Sequence, residues 1–168
     1  AVTATSSGDI TDSGVLAITG GATFTVANGR SITLDQSSTF SSTVTFVASA
    51  GTIAAVTIND SNALDLKALT TTGNLTVTAG GAVTDSGTLV IPGTATISAS
   101  GQAVTLDESS NNFGTLAITG ANVAVTDTNA IVLGASTISG TYDVTTGGAI
   151  TDSGALVITG LTTLAAGS

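Results

Sequence analysis

The chain has 168 residues, of which 42% are hydrophobic and only 8% charged, with 21 Gly, 1 Pro and no Cys, Met, Trp or His. So few long helix formers argue against an α-rich fold, a mean hydropathy of +0.54 argues against disorder, and no apolar run approaches the ~18 residues of a membrane span. The net charge is −9 and the only cations are Arg30 and Lys67, a poor endowment for nucleic acid or an anionic membrane.

The first phrase in chain order is Gly8-Asp9-Ile10-Thr11-Asp12-Ser13-Gly14, a turn that runs into the strand-like Val15-Leu16-Ala17-Ile18. Alternating stretches follow: Thr23-Phe24-Thr25-Val26, Ile32-Thr33-Leu34-Asp35 and Thr43-Val44-Thr45-Phe46. The period of two predicts strands with one buried face. Turn signals separate them at Asn28-Gly29, Asn59-Asp60 and Gly80-Gly81. The opening phrase then returns as Gly81-Ala82-Val83-Thr84-Asp85-Ser86-Gly87 and as Gly148-Ala149-Ile150-Thr151-Asp152-Ser153-Gly154, at separations of 73 and 67 residues. Within the period, Ile32-Thr33-Leu34-Asp35 matches Val104-Thr105-Leu106-Asp107, and Asp60–Leu64 matches Asp127–Ile131. Residues 56–87 align with 123–154 without a gap, so the shortening is expected between Asp107 and Val123.

Phrases returning at a fixed phase predict an all-β fold in which coils stack on copies of themselves, a parallel β-helix or β-solenoid. Seven or eight coils about 4.8 Å apart make a rod of about 35 Å. Residues 1–168 read as one continuous segment with long units at 8–80, 81–147 and an incomplete 148–168. Three coils per unit would align Asp12, Asp85 and Asp152 in one column. Leu16, Phe24, Val26, Leu34, Leu75, Val77, Leu106 and Val144 are expected inward. Tyr142, aligned with Leu75, also points inward and needs a partner for its hydroxyl. Val2 aligns with Leu75 and Ser168 with Gly101, so the chain reads as a window on a longer array, with a missing initiator Met pointing the same way. Its expected partners are further coils of the same chain or end-to-end copies of itself.

The phrases at 148–156, 74–81 and 104–107 resemble the repeats of very large bacterial surface proteins, the filamentous-haemagglutinin-like and autotransporter-like adhesins. The resemblance covers essentially the whole chain. It implies secretion to the cell surface or beyond, a right-handed parallel β-helix, and an adhesive or filament-forming role with host surfaces or glycans as partners.

Catalysis is not expected. Without His there is no ready general acid or base, and an Asp column three coils apart, about 14 Å, is too wide for paired-carboxylate chemistry. No metal or cofactor is expected either, because Thr-Asp-Ser-Gly supplies one carboxylate per turn where calcium takes six to eight oxygens. The Asp and Ser of that phrase are expected to bond neighbouring amides, with Gly at positive φ. Asp65 and Lys67, two apart on one strand face, form an exposed ion pair. The outward pairs Thr23/Thr25, Thr43/Thr45, Thr76/Thr78 and Thr94/Thr96 are the candidate binding residues, a flat hydroxyl-methyl face suited to polysaccharide or ice. The first expectation is a structural shaft; the alternative is a binding module that uses this threonine face.

Overall fold

A computed structural model describes residues 1–167, and every regular element among them is a β-strand. Ser168 lies outside the described residues. The first sheet has nine strands in the order Val2–Ser6, Ala22–Val26, Val44–Ala48, Leu64–Leu66, Val83–Asp85, Val104–Leu106, Val123–Asp127, Tyr142–Thr146 and Thr162–Ala165. The second follows the path Ile10–Thr11, Ile32–Phe40, Val56–Asp60, Leu75–Ala79, Leu89–Ser98, Asn112–Gly120, Ile131–Leu133 and Ile150–Asp152. Every pairing is parallel, and partners lie one coil apart, as in Val2↔Ala22, Ala22↔Val44 and Val123↔Tyr142. Nine rungs in one sheet make eight coil steps: the chain is a parallel β-solenoid.

The inward residues of both sheets form one continuous aliphatic core from Ala22 to Val144. Phe24, Val26, Leu34, Leu75, Val77, Leu106 and Val144 are all buried in it, in the strand register that the alternation predicts. Leu16, Ile18, Leu156 and Ile158 face it too, but remain half-buried because they belong to the end coils. Phe24 stacks on Phe46, with ring centroids 6.2 Å apart, and meets Phe40 edge-on.

The repeat behaves differently from expectation. Asp12 precedes the first coil's third strand and bonds within the second sheet's stack, Asp152 ends a second-sheet strand, but Asp85 ends a first-sheet strand. The three aspartates therefore do not form one column. Equivalent phrases swap sheets throughout: Val2 is in the first sheet, Leu75 in the second, Tyr142 in the first again. The long unit is three and a half coils, not three, because 67–73 residues at roughly 20 per coil end half a turn out of phase. Two units restore the phase. Residues 142–165 accordingly repeat residues 2–25 on the same sheets, seven rungs further along.

A short third strand follows the same logic. Ala17–Ile18 and Leu156–Ile158 lie where the chain passes from the second sheet to the first, whereas Leu69–Thr70 lies where it passes from the first to the second. Five of the six residues by which the second unit is shorter are lost at one connection. Seven residues, 49–55, join Ala48 to Val56, and only Ala121 and Asn122 join Gly120 to Val123.

The glycines of the Thr-Asp-Ser-Gly phrase also depart from expectation. Positive φ occurs at Gly29, Gly51 and Gly101, and not at Gly14, Gly87 or Gly154. At Gly87 a Cβ would lie 2.4 Å from the Ala68 nitrogen, and at Gly154 2.5 Å from that of Ala135. These glycines are required because the turn presses on the backbone one coil below. Gly14, in the first coil, has nothing within 4 Å.

Candidate functional site

Outward positions of the second sheet place Thr11, Thr33, Thr57, Thr76 and Thr96 in direct register on five successive strands. A parallel sheet spaces such hydroxyls about 4.8 Å apart, so the column runs for about 19 Å. It ends at Ala117, the partner of Thr96. A parallel column contains Asn59, Thr78, Ser98, Thr119 and Thr137, and Thr94 pairs with Thr115 on the other side. The first sheet carries a shorter column, Thr3, Thr23 and Thr45, beside Thr5, Thr25 and Val47. Thr43 precedes its strand and accepts the Ala22 N–H through its carbonyl.

The eight candidate threonines thus divide between two sheets on opposite sides of the core. Thr76, Thr78, Thr94 and Thr96 come together; Thr23, Thr25 and Thr45 form a separate group. Thr11, Thr33 and Thr57 were missed because they occur singly after Ile or Val, not as Thr-x-Thr pairs. The recurring dipeptides Ile10-Thr11, Ile32-Thr33 and Val56-Thr57 carry that signal.

The acidic residues do structural work between coils. Asp12 Oδ1 accepts the Asp35 N–H at 3.1 Å, and Asp85 Oδ1 accepts the Asp107 N–H at 3.0 Å. Asp60 and Asp127, both buried, form a second kind of cap. Asp60 Oδ1 accepts Phe40 N–H and Asn62 N–H; Asp127 accepts Phe113 N–H at 2.6 Å and Asn129 N–H at 2.9 Å. Each cap replaces a strand neighbour that the next coil does not supply. Asn62 and Asn129 contribute their backbone at a solvated turn.

Asn111 links three coils through its hydrogen bonds, and it is fully buried. Its Nδ2 donates to Asp85 Oδ2 at 2.6 Å, its Oδ1 accepts the Leu89 N–H at 2.8 Å, and its carbonyl accepts the Thr128 N–H. In the first unit Ser38 takes the matching Leu16 N–H but stops short of Asp12, whose Oδ2 has no partner.

Burial raises Asp85 and Asp127 above the ordinary carboxylate value of 3.8, against the hydrogen bonds from Asn111 and from Phe113 that lower them. Their neutral forms are therefore favoured by folding. The stability they contribute is fully present below pH 3.8 and is lost as pH rises through the raised folded values. The melting temperature should climb as pH falls from 7 toward 4, in about 1 M salt where general charge repulsion is screened. A fall over that range would contradict this assignment.

The Tyr142 hydroxyl is buried without a partner, and burial pushes its pKa up to about 12. The expected hydrogen bond is missing. Tyr142→Phe should raise stability by about 1 kcal/mol and the melting temperature by a few degrees; a loss of stability would reveal a bonded hydroxyl.

Lys67 Nζ lies 2.6 Å from Asp65 Oδ2 and 2.7 Å from Ser86 Oγ, a half-exposed pair of small energetic weight. Among the described residues no three carboxylates converge as a metal site.

The architecture defines a β-solenoid repeat protein. The chain belongs to the family described as Repeats of unknown function (DUF5649), whose model matches residues 1–47, 53–119 and 120–168. The matches leave out only 48–52, the end of the strand Val44–Ala48 and the start of the long connection of the first unit. No curated protein and no solved structure matches the chain.

Proposed function

We propose that the chain is a structural shaft segment of a secreted bacterial surface adhesin or filament. The observation that carries this reading is the seven-coil period. Residues 142–165 repeat residues 2–25 on the same sheets, so further units extend the rod without changing its direction. The resemblance to adhesin repeats supplies the extracellular setting. Neighbouring coils of the same chain, or end-to-end copies, are the partners this geometry suits. Val2 and Leu164, which continue the buried inward columns of Ala22 and Val144 and are exposed at the two end coils, are apolar surfaces such stacking would cover.

Two measurements test it. Intact cells producing the parent polypeptide should bind an antibody raised against residues 1–168, and labelling only after lysis would overturn the surface setting. The isolated segment should show no saturable adsorption to crystalline polysaccharide or ice.

The in-register column Thr11–Thr33–Thr57–Thr76–Thr96 favours a second reading, a binding face for a repetitive surface. Adsorption abolished by Thr57→Lys with Thr76→Lys, in a chain that still folds, would establish this reading and displace the shaft.

A further inference from the structure

The coils are not joined equally. In the first sheet, Ala22–Val26 meets Val44–Ala48 through five register pairs. The next joint, between Val44–Ala48 and Leu64–Leu66, retains the single pair Val44↔Leu66. Above it, Leu64–Leu66 meets Val83–Asp85 through three pairs. A groove of about 360 Å³ opens at this weak joint, lined by Phe40, Ser42, Thr43, Asn62 and Asp65. The second sheet stays closed at the same level, through Ile32↔Val56, Thr33↔Thr57, Leu34↔Ile58 and Ser38↔Asp60.

The connection 49–55 explains the asymmetry. In the second unit the equivalent joint keeps Thr115↔Val132 and Leu116↔Leu133, then adds Thr119↔Thr137 and Gly120↔Ile138. By repeat phase, the last two correspond to Val47 with Thr70 and Ala48 with Thr71. In the first unit Thr71 instead bridges Ile53, a buried residue of the longer connection. The insertion takes the partner that would have closed the joint, and Val47 is left exposed.

We infer that the joint between the third and fourth strands of the first sheet is a built-in hinge, opening on that side while the second sheet acts as its closed side. This joint has the fewest register pairs in the first sheet, so the rod bends there at the smallest loss of hydrogen bonds. The same joint is where the rod parts first under load.

Amide exchange followed by mass spectrometry tests this with an internal control. Residues 44–48 and 116–120 occupy the same repeat phase, one below the weak joint and one below the closed joint, where Ile118 N–H donates across to Ser136 Oγ. Exchange at 44–48 should be at least tenfold faster; equal rates would overturn the hinge. Replacing 49–55 by Ala-Asn, the connection of the second unit, should slow it to within about threefold of 116–120. A folded variant with no slowing would assign the gap to some other cause and also overturn the hinge. If that variant does not fold, pulling the unaltered chain from its two ends decides. The first rupture should release about 50 residues, or about 170 Å of contour, and a first rupture of any other length would contradict the hinge.

Discussion

Gly87→Ala is expected to destabilise the solenoid by about 2–3 kcal/mol, while Gly14→Ala leaves stability unchanged or raises it by up to about 1 kcal/mol. Both glycines occupy the same place in the same phrase, and neither has positive φ. Only their surroundings differ. The new methyl at Gly87 meets the Ala68 nitrogen at 2.4 Å and its Cα at 3.0 Å, backbone atoms that cannot move without opening the coil stack. At Gly14 it enters open space and removes freedom from the unfolded chain. Denaturant melts of the two variants measure the difference. Equal effects would mean that the glycine serves the turn itself, and not the contact between coils.

Asn111→Ala is expected to cost about 3 kcal/mol. It strands the buried Asp85 Oδ2 and the Leu89 N–H together, and each orphaned buried group costs about 1–3 kcal/mol. Asn111→Asp separates packing from hydrogen bonding. It keeps the acceptor for Leu89 but brings a second carboxylate against Asp85, where the amide now lies at 2.6 Å. That variant should be strongly destabilised at pH 7 and recover on acidification, since one proton shared between the two carboxylates restores a donor. Thermal melts from pH 7 to 4 check this, and no recovery in acid would show that Asn111 acts through its shape alone.

The strand register and the fold class were legible in the sequence because apolar-polar alternation and returning phrases are local signals. Phe24, Val77 and Leu106 needed only their neighbours to be placed inward. The half-coil in each unit was not legible. Whether 73 residues make three coils or three and a half depends on how many residues each corner consumes, and that is set by packing, as with the seven-residue connection at 49–55 against two residues at 121–122. The same half-coil split the candidate threonines, placing Thr23 and Thr76 on opposite sheets although their local sequences read alike. Asn111 was hidden for a different reason. Its partners Asp85, Leu89 and Thr128 belong to neighbouring coils, 26, 22 and 17 residues away, and no local pattern connects them. Tyr142 was placed correctly by its alignment with Leu75, yet its hydroxyl has no counterpart in a leucine and found no partner.

The central claim is that these units form a rod that extends indefinitely, with a period of two units and seven coils. Inserting one further copy of residues 2–141 after Thr141 keeps both repeat phase and sheet identity across the junctions. Small-angle scattering from the lengthened chain should show an unchanged cross-section and a rod longer by about 34 Å, seven coils at about 4.8 Å each. Two compact bodies joined flexibly, or a thicker particle of the original length, would contradict the account.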